Sequence, residues 1–256
     1  MKNKLICLIF VLFSMTFLFS SSVWAQEYRW EIEGRYWHPR LDSVVDMLNG
    51  TIKSRVDLVR DLGFEEKKNS GEVRLQVQLS RNHKIHLSYL PLEWKSDSLL
   101  QTTAQLNGET YQVGTRVQSH LDLNFITAGY EWDFLAQEGG FLGITFDIMV
   151  LDLHTSFREP EFSTEQKYDV TFPAPLLGLS GKWKLDRRFS LAGKISGMYA
   201  GGYGYIVDAE GGVDFAAFKW LVLSGGYRFL DLKGEYEEYH GDYRLYGPFA
   251  ALKMRW

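Results

Sequence analysis

Leu153-His154-Thr155-Ser156 sets an imidazole and a hydroxyl two residues apart. On an extended strand that spacing projects both from one face, so His154 is a candidate general base and Ser156 a candidate nucleophile. Glu159, Glu161 or Glu165 would then orient the ring, as the third member of a hydrolytic triad does. The plainer reading, and the one the surrounding residues favour, is the exposed base of a loop. His38, His83, His86, His120, His154 and His240 are otherwise scattered, with no H-E-x-x-H pair, and no metal ligand set is read from them. Asp46, Asp57, Asp61, Glu65 and Glu66 lack the D-x-D-x-D-G spacing of a calcium loop and read as a solvated acidic segment. The glycines of AGGYGY and AEGGV are not followed by G-K-[ST], which excludes a phosphate-cradling loop. No cofactor site follows from any of these motifs.

The elements that would carry such residues are strands. Residues 1–25 begin with Lys2 and Lys4, continue through an apolar run from Leu5 to Phe19, and end in Val23-Trp24-Ala25. That order is a secretory signal peptide with cleavage expected after Ala25, leaving 26–256 as one domain. The single cysteine, Cys7, lies in the part removed, so the mature chain has no disulfide and no thiolate chemistry. The mature chain has 26 basic and 32 acidic residues, net −6, and gives no reason to expect nucleic acid. Aromatics at 15%, 24 glycines and only 6 prolines suit many strands joined by tight turns.

From Tyr28 onward the pattern has period two. Tyr28, Trp30, Ile32 and Tyr36 share one face against Arg29, Glu31, Glu33 and Arg35. Val73, Leu75, Val77 and Leu79 alternate with Arg74, Gln76 and Gln78; Tyr130, Trp132 and Phe134 stand opposite Glu131 and Asp133. Leu142 to Val150 and Tyr246 to Trp256 alternate in the same way, and the chain ends on an aromatic. Asn107-Gly108 marks a hairpin with a type I′ turn. The apolar phase slips near Phe125, Val150 and Leu230, as a β-bulge or the end of a membrane band would produce. Residues 42–70 read either as extended strand or as a short helix capped by Asp42, on or inside a barrel mouth.

Tyr246 and Trp256 are ten residues apart on one face, about 33 Å of strand. Tilted by about 40°, that rise becomes about 25 Å, the height of a lipid-facing band between two aromatic girdles. Lipid offers no hydrogen bonds, so such a sheet must close, with the last strand pairing to the first. The expected fold is therefore all-β: a transmembrane up-and-down antiparallel barrel of about ten strands, eight being the alternative, with both termini and the short turns periplasmic. Tyr28, Trp30, Tyr130, Trp132, Phe134, Tyr246 and Trp256 are the expected interface aromatics. The inward faces collect Arg29, Glu31, Glu33, Arg35, Arg74, Lys84, Glu131, Asp133, Asp147, Lys182, Lys194, Asp208, Glu210, Asp214, Arg228, Lys253 and Arg255. Both signs are present, and in so narrow a barrel they are expected to pair and fill the lumen.

The signal peptide, the paired girdles and the aromatic last residue resemble Gram-negative outer-membrane β-barrel proteins. HLSYLPLEW, GFLGI, YIVDAEGGVDF and SGGYRFLDL are similar to stretches of small barrels that mostly lack a known activity. The resemblance implies an outer-membrane address, lipid as the surrounding partner, recognition of the last strand by the barrel-assembly machinery, and no particular reaction. A monomer is expected, with a structural or ligand-binding and transport role at the cell surface whose ligand is unknown. A narrow porin-like channel is one alternative. His154-x-Ser156 also resembles the His-x-Ser of outer-membrane lipid A deacylases and implies a lipid-modifying hydrolase as another; Phe157 stands where that family's motif continues with a polar residue.

Overall fold

The computed structural model describes residues 29–49, 52–101, 104–106, 109–159, 164–236 and 239–256. The interface aromatic Tyr28 and the whole expected signal peptide lie outside them. Fourteen strands are described: β1 (Trp30–Trp37), β2 (Arg40–Asn49), β3 (Ile52–Asp57), β4 (Ser70–Ser80), β5 (His83–Leu99), β6 (Ala104–Leu106), β7 (Glu109–Tyr111), β8 (Arg116–Gln137), β9 (Gly140–Glu159), β10 (Thr164–Lys184), β11 (Phe189–Tyr199), β12 (Gly204–Phe218), β13 (Leu221–Tyr236) and β14 (Tyr239–Arg255). All pairings are antiparallel, and β14 closes the sheet by pairing with β1 from Glu31–Arg255 to Trp37–Phe249. Beyond Pro39 the same neighbour continues as β2 against Tyr239–Tyr246 of β14. With β1 and β2 forming one wall strand, and β3 and β4 the next, the barrel has ten.

The ten agree with the count that the sequence implies. β6 and β7 form a separate two-stranded sheet between the wall strands β5 and β8, and Asn107-Gly108, read as their turn, lies outside the described residues. The wall continues directly from β5 to β8, whose register runs unbroken from His83–Trp132 to Leu99–Arg116. Among the described residues of the 42–70 region there is no helix: β2 and β3 occupy its first part, and Asp42 is an exposed strand residue. Asp57 instead organises the turn that follows, accepting the N–H groups of Val59 and Arg60 at 3.0 and 2.9 Å. Gly63 in this turn has φ +71°, and a Cβ there would lie 2.8 Å from Ser98 Oγ, so both backbone and space require glycine.

The first described residue, Arg29, the last residue, Trp256, and the short turns share one end of the barrel. Nearest that end the outward face is apolar: Trp30, Ile32, Ile85, Leu87, Trp132, Leu142, Phe146, Leu179, Trp183, Leu191, Leu223, Leu252 and Trp256 are all exposed. Such a continuous exposed belt requires lipid around it. Toward the far end the strands keep their register while the chemistry of the two faces exchanges. On β9, outward Phe146 and Ile148 give way to Asp152, His154 and Ser156, while inward Thr145 and Asp147 give way to Met149, Leu151 and Leu153. On β8 the outward residues pass from Trp132 to Asp122 and His120, and the inward ones from Glu131 to Phe125, Leu123 and Leu121. β13 does the same at Leu230. The phase slips in the sequence are therefore the end of the band. The three register shifts, at Gln78–Ser80, Trp132–Leu135 and Ala216–Phe218, all lie near the terminal end.

The far half is consequently built like a water-soluble barrel, apolar inside. Trp37, Leu41, Leu90, Leu92, Trp94, Leu121, Leu123, Phe125, Met149, Leu230 and Leu245 are at most 2% exposed and belong to one cluster. The turn after β3 sends Leu58, Leu62 and Phe64 into it, and Ser96 and Ser98 hold the turn by donating to the Leu62 carbonyl at 2.6 Å. β10 pairs with β11 only from residue 177 inward, so residues 164–176 form an edge; Pro173 and Pro175 sit on it, where missing N–H groups discourage further pairing.

Candidate functional site

Two constellations carry polar chemistry. The first lies in the lumen at the level of the lipid-facing belt. Glu210 on β12 accepts from Arg35 Nη1 at 2.6 Å and from both terminal nitrogens of Arg74 at 2.8 Å. Arg35 Nε also donates to Glu33, and Arg74 Nε to Glu72, each at 2.8 Å. Arg228 reaches Glu72 at 3.1 Å and grips Asp208 with two nitrogens at 2.9 and 2.8 Å. This alternating chain joins β1 and β4 to β12 and β13 across the barrel. Smaller groups complete it: Lys84 with Glu131 and Asp133, Lys194 and His86 with Asp147, and Lys182 and Lys253 with Asp214. Arg255 pairs with Glu31 beside the closure seam.

Every inward charge of the sequence expectation except Arg29 is thus placed inside and paired. Arg29 precedes β1 at the rim and is exposed, because the strand begins one residue later. Glu72 joins them beyond the sequence expectation, although continuing the alternation back one residue from Val73 reaches it, and His86 lies on the same face as Lys84. A cavity of about 190 Å³ remains among these groups. Above them the apolar cluster begins, and cations stack on its aromatic floor: the Arg35 guanidinium carbon lies 3.9 Å from the centre of the Phe249 ring, and that of Arg228 5.2 Å from that of Trp37. Of the interface aromatics, Trp30, Trp132, Phe134 and Trp256 are exposed on the outward face, while Tyr130 and Tyr246 are partly covered. Tyr130 is hydrogen-bonded to His83.

The second constellation lies on the outer wall just past the belt, across β5, β8, β9 and β10. His154 and Ser156 are here, on a regular strand and not at a loop base. Their side chains share the outward face, but the ring does not turn to Ser156. His154 Nδ1 lies 2.7 Å from Asp169 on β10, and Nε2 lies 3.0 Å from Asp152. Hydrogen bonds to Asp169 and then Asp152 raise the histidine above its ordinary value, which favours an imidazolium with both nitrogens engaged. Such a ring is no general base toward Ser156. The side chains of Glu159, Glu161 and Glu165 lie outside the described residues. The residues directly opposite Ser156 are His120 on β8 and Lys167 on β10; no spacing within one strand could have revealed them.

His120 Nε2 sits 3.1 Å from Glu93 and 3.2 Å from Asp122. Glu93 also pairs with Lys95, whose hydrogen bond is the main cause holding its carboxyl below the usual range. A groove lined by Lys95, Asp97, Gln118, His120, Ser156 and Arg158 runs alongside, with a volume of about 380 Å³.

A closed ten-strand antiparallel barrel with a lipid-facing belt, a polar lumen and projecting strand ends is the architecture of Gram-negative outer-membrane β-barrels. Among solved structures the chain is similar to the outer membrane protease OmpT from Escherichia coli, with a TM-score of 0.56 and 11% identity over 93% of this chain and 100% of that one. The translocator domain of the autotransporter NalP from Neisseria meningitidis gives 0.49 and 9% over 90% of each chain, and Neisserial surface protein A gives 0.40 and 11% over 89% and 97%. Neither a protein-family model nor a curated protein sequence matches the chain.

Proposed function

We propose that the protein resides in the outer membrane as a sealed barrel and acts as a structural or ligand-binding element through its exposed outer wall, not by conducting solutes. The observation that carries this is the double filling of its interior: a paired charge layer at belt level and a continuous apolar layer beyond it. An open pore would leave charges hydrated along its wall, whereas these charges bridge one side of the barrel to the other. The terminal end faces the periplasm, where short turns belong, and the far half projects outside the cell. The hydrolase reading has less support, because the nitrogens of His154 serve two carboxylates. Purified protein inserted into planar bilayers tests the proposal: no steady conductance is expected at any salt concentration, and a persistent salt-dependent current overturns it.

A further inference from the structure

We propose that Glu93, His120 and Asp122 form a binding site for a divalent transition-metal cation on the outer wall, a site that stands independently of the sealed-lumen reading. Glu93 on β5 faces Asp122 on β8 in register, and His120 lies two residues along β8 on the same face. One donor atom from each comes within 4.8 Å of the other two. The decisive feature is convergence. Both carboxylates approach the same ring nitrogen, at 3.1 and 3.2 Å. A single N–H cannot point well at two oxygens on different strands, so one of them gains little from the proton. A dication replacing that proton meets all three donors and balances both carboxylates.

The neighbouring histidine shows what a non-binding arrangement looks like on the same sheet. At His154 the two carboxylates take different nitrogens, from opposite sides of the ring, and no point lies close to all three groups. That group works as an ion-paired strut. Of the Glu93 set, His120 borders the groove of about 380 Å³, from which water or an external ligand would complete the coordination. One imidazole nitrogen with two carboxylate oxygens and an open position suits Zn²⁺ or Mn²⁺; calcium takes six to eight oxygens, which three side chains do not supply. Lys95 is the built-in competitor, because it holds Glu93 in an ion pair that a metal must displace.

The test uses the full mature chain folded in detergent micelles, stripped with chelator, and titrated calorimetrically with zinc chloride, then with calcium and magnesium chlorides. One equivalent of zinc is expected to bind, with His120→Ala weakening it at least tenfold and Glu93→Gln and Asp122→Asn each weakening it several-fold. Lys95→Gln is expected to tighten it. Heat-modifiable migration on gels confirms that each variant is folded. Absence of zinc binding, binding that survives His120→Ala in folded protein, or calcium binding as tight as zinc overturns the proposal.

Discussion

Glu210 is held by two guanidiniums that each keep a second carboxylate, Glu33 for Arg35 and Glu72 for Arg74. Removing one member of a buried ion pair normally costs about 3–5 kcal/mol, since the remaining charge stays desolvated. The retained partners place Glu210→Ala at the lower end, about 3 kcal/mol, measured by denaturant unfolding from lipid vesicles. Glu210→Gln keeps the shape and an acceptor oxygen and is expected to lose less. On the outer wall the relevant quantity is a titration. Asp169 and Asp152 raise His154 in the folded state, so its imidazolium contributes stability that is fully present below the unfolded value of about 6.5 and is lost as pH rises through the folded value. Ring-proton NMR in micelles should show a midpoint above that of a free histidine, and Asp169→Asn should bring it down; an unmoved midpoint would show that the pair does not act in solution.

Within a single strand the two solvents of the molecule can be located. β9 presents Phe146 outward in the belt and Ser156 outward beyond it, with no register shift between them. An arginine at the middle of a lipid-facing strand costs about 2–4 kcal/mol and near or beyond the interface about 0–1. Phe146→Arg should therefore reduce folding into vesicles strongly and Ser156→Arg hardly at all; equal losses would place the band elsewhere. This exchange of faces also explains what the sequence could and could not show. Alternation at Trp30–Trp37 and Tyr246–Trp256 makes closure of the first strand on the last legible, because the outward face there stays apolar throughout. Past Val150 and Leu230 the alternation persists while its sign reverses, and a one-dimensional pattern cannot separate reversal from a bulge. The lumen charges were legible by parity alone. Glu93, His120 and Asp122 were not, because their meeting depends on the register between β5 and β8, which no local spacing encodes.

At the scale of the whole barrel the two interior layers lie in series, and each is held by a different force. The charge layer is strong because its members are paired across the lumen; the apolar layer is strong because residues from nearly the whole wall, with Leu62 and Phe64 from the inward turn, pack into one buried cluster. Opening either one alone leaves the other intact. Leu62→Ala with Phe64→Ala creates a void costing several kcal/mol, of the order of 2–5 for each large side chain, yet ions still meet the Arg35–Glu210–Arg74 bridge below. Glu210→Ala removes that bridge, yet ions still meet Trp37, Trp94 and Phe125 above. Planar-bilayer recordings are therefore expected to stay silent for the wild type and for either set of changes alone, and to show current only when the two sets are combined. Current from Glu210→Ala by itself would mean that the apolar layer does not seal the barrel, and that the paired charges are its only gate.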